Sequence, residues 1–271
     1  KRAGKAAGVV WGGERRRTSE SNWRQPIKWN AKRFMQCGDC GWRGECSAEL
    51  IGCGSCGSIV SMNDTRPRVF CASLADVFDN EVPTRWRQDL MSLIATTPNL
   101  DWLLLTKRIG NARRMLADAS MHDGRLLTAN DEYRPPANLW IGATICNQEE
   151  ADRDIPKLLA VPSAKRFLSI EPLLGPVDIG LCDCDHGSIP APQNVGGVTC
   201  PKCNGTGGRM VDWVIVGGES GPGARPMHPD WVRSLRDQCV TTGVSFLFKQ
   251  WGEWVDADNG PDDDSVYEGK A

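Results

Sequence analysis

The stretch Trp213-Val214-Ile215-Val216-Gly217-Gly218-Glu219-Ser220-Gly221 decides how the rest of the chain is read. Four large apolar residues in a row suit a strand buried on both faces, which is the pattern of a parallel sheet covered by helices. A glycine-rich polar turn follows, and Pro229 opens an amphipathic helix that runs to Thr242 and stops at Gly243. Working outward, the same strand, turn and helix recur. Strands are expected at Arg68–Ala72, Asp101–Thr106, Leu139–Ala143, Arg166–Ile170 and Ser245–Lys249. Helices are expected after Pro83, over Ile109–Ala119, and from Asn147, a good N-cap, to a break at Pro156. Six such units with no Gly-x-Gly-x-x-Gly turn after the first strand predict an α/β partial barrel rather than a dinucleotide-binding fold.

Folds of this kind carry their chemistry at the C-terminal ends of the strands. Those ends are polar here. They offer Ser73 and Asp76; Thr106, Lys107 and Arg108; Thr144 and Asn147; Ser169 and Glu171; Gly217, Gly218 and Glu219; and Lys249 and Gln250. Cations and carboxylates gathered on one rim predict a ligand cradle. The loop from Gly217 to Gly223 is neither a phosphate-binding Walker sequence nor a nucleophile elbow. With only three histidines (His122, His186 and His228), no hydrolytic triad emerges.

The twelve cysteines read as metal ligands rather than disulfides, because nine of them fall in two short clusters. The first is Cys37-Gly38-Asp39-Cys40, twelve residues, then Cys53-Gly54-Ser55-Cys56, with Cys46 spare between them. Two matched Cys-x-x-Cys knuckles suit one tetrahedral Zn²⁺. The second cluster is Cys182, Cys184, His186, Cys200 and Cys203. Its Cys200–Gly207 part resembles one half-site of the DnaJ-type zinc module. Cys182 with Cys184, or His186 in place of one of them, would complete a second Zn²⁺ shell. Both clusters interrupt the strand-helix rhythm and so read as zinc-ribbon-like insertions, the first at 36–60 ahead of a barrel spanning 66–255 and the second at 181–209 within it. Full cysteine shells predict structural rather than catalytic ions.

The chain has 271 residues and a net charge of −2, which hides a polarised distribution. Residues 1–35 hold ten Lys/Arg against Glu14 and Glu20, with Trp11, Trp23 and Trp29 interleaved. Such a basic arm could grip a phosphate backbone and stack bases, or lie folded against its own domain. The last sixteen residues, 256–271, carry six acids against Lys270 and read as a flexible acidic tail. No run of about 18 apolar residues occurs, so no membrane-spanning helix is expected. The cysteine usage predicts a reducing, cytoplasmic setting. Nothing in the sequence indicates an oligomeric state.

Seven runs taken together carry a family resemblance: Arg15–Trp23, Val69–Phe78, Leu103–Arg108, Asn138–Gly142, Leu168–Gly175, Trp213–Gly221 and Phe248–Gly252. They resemble a phage-associated family of unknown function, the phage gene-product thirty-seven/sixty-eight family. That family is similar to divergent radical S-adenosylmethionine (SAM) barrels related to spore photoproduct lyase. The resemblance covers about residues 11–255 apart from the two cysteine insertions. It implies a [4Fe–4S] cluster and SAM at the strand ends, generating a 5′-deoxyadenosyl radical that abstracts hydrogen from a nucleic-acid or nucleotide substrate in the cytoplasm of a bacterial host. By the same resemblance Glu171, Gly217, Gly218 and Glu219 would hold SAM, and Thr106, Lys107, Arg108 and Lys249 would face its carboxylate or an anionic substrate. The cluster-binding Cys-x₃-Cys-x₂-Cys triplet is not in this sequence. The resemblance places it upstream of Lys1: either the chain is without its first residues, which the missing initiator Met fits, or this variant has lost the cluster. A non-catalytic, zinc-stabilised scaffold that binds nucleic acid or protein is the alternative expectation.

Overall fold

The computed structural model describes residues 15–46, 52–71, 75–120, 133–181, 188–189, 198–199, 211–256 and 267–269. The fold is mixed α/β. A six-stranded parallel sheet of half-barrel type is built from β4 (Arg68–Cys71), β5 (Asp101–Thr106), β6 (Leu139–Thr144), β7 (Lys165–Ile170), β10 (Trp213–Gly217) and β11 (Ser245–Gln250). Its strand order is β11-β10-β7-β6-β5-β4, so each strand of the sheet lies beside its neighbour in sequence. That is the order expected from repeated strand-helix units. The helices are α1 (Glu20–Asn30), α2 (Thr84–Thr96), α3 (Ile109–Ser120), α4 (Gln148–Leu159) and α5 (Pro229–Thr242).

The chain divides into two compact units, residues 1–104 with 114–140 and residues 105–113 with 141–271. In the first, β1 (Phe34–Cys37), β2 (Arg43–Glu45) and β3 (Met62–Asp64) form an antiparallel sheet in the order β2-β1-β3. Phe34 faces Glu45 and Met35 faces Asp64 in its register. β4 runs parallel to β5, with Phe70 opposite Leu103. The turn after α2 is tied by buried Asn138, whose side-chain amide donates to the carbonyls of Ile94, Thr97 and Leu100. These include carbonyls that the end of a helix otherwise leaves without partners.

In the second unit β7, β10 and β11 pair in parallel, with Leu168 opposite Val214 and Val214 opposite Phe246. Leu168, Val214 and Val216 are fully buried, as the continuous apolar runs require. Phe167 is also fully buried, and its ring occupies the space a side chain on Gly142 would need. α5 begins at Pro229 and ends with Gly243 in the left-handed region at φ +66°. That conformation favours glycine, so the expected stop has a clear cause.

One expectation changes. Pro156 was expected to break its helix, but α4 continues through it to Leu159. The proline removes one N–H, while Ala151, Asp154, Ile155 and Leu158 hold one buried face along the whole helix. Of the two readings of the basic N-terminal segment, its described part has the ties that the folded one calls for. Residues 20–30 are helical, Arg15 pairs with Asp79 at 2.8 Å and Arg17 with Asp89 at 2.6 Å. Arg17 also lies over the ring of Trp23, 3.9 Å from its centroid. At the acidic end, Tyr267–Gly269 (β13) pairs antiparallel with Trp254–Asp256 (β12). Between β7 and β10 in sequence the strands Ser188–Ile189 (β8) and Val198–Thr199 (β9) pair with each other. Cys182, Cys184, His186, Cys200 and Cys203 lie outside the described residues, as do Ser73 and His122. No helix among the described residues is long and apolar enough to cross a membrane.

Candidate functional site

The first unit gathers four sulfurs. Cys37 ends β1, and Cys40, Cys53 and Cys56 follow in two loops of the same design. In one loop the N–H of Cys37 donates to the carbonyl of Trp42, and Gly41 donates back to Cys37. In the other, Cys53 donates to Ser58 and Gly57 donates back to Cys53. Gly41 at φ +73° and Gly57 at φ +75° supply the left-handed residue each turn needs. The result brings all four Sγ atoms within 4.8 Å of one another, with Cys37–Cys56 and Cys40–Cys53 each at 3.6 Å. A disulfide needs sulfurs about 2.05 Å apart. Sulfurs around a tetrahedral ion with Zn–S of about 2.3 Å sit about 3.8 Å apart. The cluster could therefore hold a metal ion such as zinc. Backbone N–H groups of Cys56 and Ser55 pull the Cys53 thiol down to about 7. At Cys56 the Ser58 amide favours the thiolate, but the sulfurs of Cys40 and Cys37 outweigh it and push that thiol up to about 12. Four thiolates this close need a cation among them. Cys46 lies outside this group and is buried at the end of β2.

The second unit builds the strand-end rim. Glu171, just past β7, accepts a hydrogen bond from the Ser169 hydroxyl at 3.0 Å and pairs with Lys249 of β11 at 3.1 Å. Gly217 ends β10 beside it, and a Cβ there would lie 2.6 Å from Glu171 Oε1. Gly218 donates to the carbonyl of Gln250 at 2.9 Å, and a Cβ on it would run into the carbonyl oxygen of Trp251. Bare backbone at both positions is what lets the carboxylate of Glu171 and the Trp251 turn approach β10.

The rest of the glycine-rich loop is tied to the chain after β11. Gln250 donates to Ser220, Gly221 to Glu253, and Trp254 to the Ala224 carbonyl. Glu219 closes the loop on itself: the Arg225 guanidinium takes both its oxygens, at 2.8 and 3.1 Å, and the Arg225 N–H donates a third bond. The Arg225 side chain, helped by its backbone N–H, holds the Glu219 carboxyl down at about 2. Cys146, after β6, lies near Glu150, Lys107 and Arg225. Glu150 accepts its N–H at 2.8 Å and receives the N-cap side chain of Asn147 on its own N–H. Burial first, then the Glu150 charge, pushes the Cys146 thiol up to about 11.

Residues 1–269 match the profile of a family described as "Protein of unknown function (DUF5131)". The chain belongs to that family. No curated protein and no solved structure matches it.

Of the eight rim residues expected from the DUF5131 chain's sequence, Glu171, Gly217 and Lys249 meet directly, and Gly218 adjoins them. Glu219 faces Arg225 within its own loop. Thr106 is buried and its hydroxyl accepts the Arg108 N–H at 2.8 Å, so it shapes the start of α3. Lys107 and Arg108 are exposed there, and Lys107 acts on Cys146. Arg225 and Glu150 are the rim residues that strand ends alone did not single out. The signal for Glu150 was its place three residues after a capping Asn, where a carboxylate turns back on the preceding backbone.

Proposed function

We propose that the strand-end rim binds the amino-acid end of S-adenosylmethionine, in a radical-SAM-like protein of phage-associated type that acts on a nucleic acid or nucleotide. The observation that carries this reading is the pairing of Glu171 and Lys249 beside the bare backbone of Gly217 and Gly218. A ligand with its own ammonium and carboxylate can exchange for that pair one charge at a time, with Glu171 taking the ammonium and Lys249 the carboxylate. Once bound, such a cofactor supplies hydrogen-abstraction chemistry. Gly217 and Gly218 leave room for it, and Ser169 holds Glu171 in place. Among the described residues no three cysteines form the open set that a [4Fe–4S] cluster uses. The iron–sulfur part of the reading therefore rests on the family resemblance and not on the residues of the rim. In the same reading both cysteine clusters hold structural Zn²⁺, and the basic N-terminal segment supplies nucleic-acid contact.

The test is calorimetry of SAM with the anaerobically prepared protein, with iron, sulfide and zinc analysis. Lys249→Ala and Glu171→Gln are each expected to weaken SAM binding at least tenfold. Affinity unchanged in both, or zinc without iron after cluster reconstitution, would overturn the enzyme reading. The nucleic-acid part is tested by the salt dependence of single-stranded DNA binding. Neutralising Arg15, Arg16 and Arg17 together should flatten that dependence.

The closed four-cysteine centre favours a second reading, in which the protein is a metal-stabilised scaffold that binds nucleic acid or protein without catalysis. DNA binding with no SAM binding would select it.

A further inference from the structure

We infer that a Zn²⁺ ion at Cys37, Cys40, Cys53 and Cys56 is itself the core of the β1–β3 module, so that this part of the chain folds and unfolds with its metal while the parallel sheet does not. The inference rests on the assignment of a metal to these four cysteines. What carries it further is the composition of the module's interior. Among the described residues from Phe34 to Thr65, only Met35, Cys37, Cys46 and Cys53 are buried. Met35 is the one buried apolar side chain there that is not a cysteine. Two of the three buried cysteines are ligands.

The three strands are three or four residues long, and a sheet that short does not stand without a hydrophobic face or a cross-link. Two ion pairs of the module lie at its surface. Lys32 pairs with Glu45 and Arg33 with Asp64, all of them exposed. Exposed pairs of this kind add little. Ile59 and Val60, which could have packed inside, are 65% and 90% exposed on the loop leading into β3. The sulfur cluster joins both knuckles through buried ligands, whereas the link from Ser61 to Asp39 is an exposed hydrogen bond. The parallel sheet contrasts with this, since β7 and β10 each bury at least three apolar side chains of their own.

The two knuckles share one hydrogen-bond pattern, and their sulfurs are spaced for a tetrahedron rather than for a disulfide. All four positions are thiolate ligands, which favours Zn²⁺ over harder divalent ions. Among the described residues no fifth ligating side chain joins the four sulfurs, which suits a closed shell and a structural ion.

The experiment uses the full chain. Zinc is counted by metal analysis in the wild type and in Cys40→Ser/Cys56→Ser, which changes the two exposed ligands. Hydrogen exchange is followed at β1, β2 and β3 and, separately, at β7 and β10. The variant is expected to hold one zinc fewer, with amide protection in β1–β3 falling at least a hundredfold and protection in β7 and β10 unchanged. Chelation of the wild type should give the same pattern, and it serves as the measurement if the variant cannot be purified. An unchanged zinc count in the variant would overturn the ligand set. One zinc fewer with protection in β1–β3 intact would leave the metal site standing and overturn its role as the core. Loss of protection throughout the chain would overturn the independence of the sheet.

Discussion

A Cβ on Gly217 would lie 2.6 Å from Oε1 of Glu171, closer than a carbon and a carboxylate oxygen can stand. Gly217→Ala therefore has to push Glu171 off its pairing with Lys249. The expected result is folded protein with weakened binding at the rim, seen as a loss of SAM affinity similar to that of Glu171→Gln. Gly218→Ala differs, because its neighbour is the backbone carbonyl of Trp251, which cannot swing away as a side chain can. It is expected to cost about 1–3 kcal/mol of stability in chemical denaturation. Equal stabilities for the two variants would contradict the assignment.

The Glu219–Arg225 contact has a defined pH dependence. The Glu219 carboxyl lies at about 2 in the folded chain against an ordinary value of 4.5, so its folded value is depressed. The stability it contributes is then complete above about pH 4.5 and is lost as the pH falls toward about 2. Arg225→Ala should lower the Tm at pH 7 by a small amount, and the gap to wild type should close across that acid range. A gap that persists at the acid end would show that Arg225 acts by other means.

Cys146 should be a slow thiol. Its displacement from 9.0 to about 11 leaves roughly a hundredfold less thiolate at neutral pH than an ordinary cysteine has. Alkylation followed by peptide mass spectrometry is expected to label it far more slowly than a free cysteine in a short peptide. Glu150→Gln should speed the reaction by removing the carboxylate that opposes ionisation. Equal rates in the variant and the wild type would assign the whole effect to burial.

Asn138→Ala removes an amide that meets three buried carbonyls at 2.9–3.1 Å. An amide nitrogen has two protons, so two good hydrogen bonds are the most it loses, which amounts to about 2–3 kcal/mol. Urea denaturation should show this, with Asn138→Asp at least as damaging because a carboxylate would face carbonyl oxygens.

Much of the fold is legible in particular residues. Runs such as Leu103–Leu105 and Val214–Val216 are apolar on both faces, and only a covered parallel sheet satisfies them. Gly243 and Asn147 mark helix ends by chemistry that acts within a few residues. Pro156 misleads because its local cost of one hydrogen bond is set against a buried helix face that no single residue reveals. The cysteine knuckles are legible for the same reason as the caps, since each is a short loop whose spacing sets where its sulfurs go.

By itself the sequence determined the alternation of strands and helices, the polar character of the strand ends and the four sulfurs of the first cluster, all through interactions between near neighbours in the chain. The tertiary structure alone decided how the rim charges are shared. Glu171 and Lys249 are 78 residues apart and meet because β7, β10 and β11 lie side by side. Glu219, two residues from Gly217, turns instead to Arg225. Charge partners are set by which side chains the strand order brings together, and that is a property of the packed sheet rather than of any segment in it.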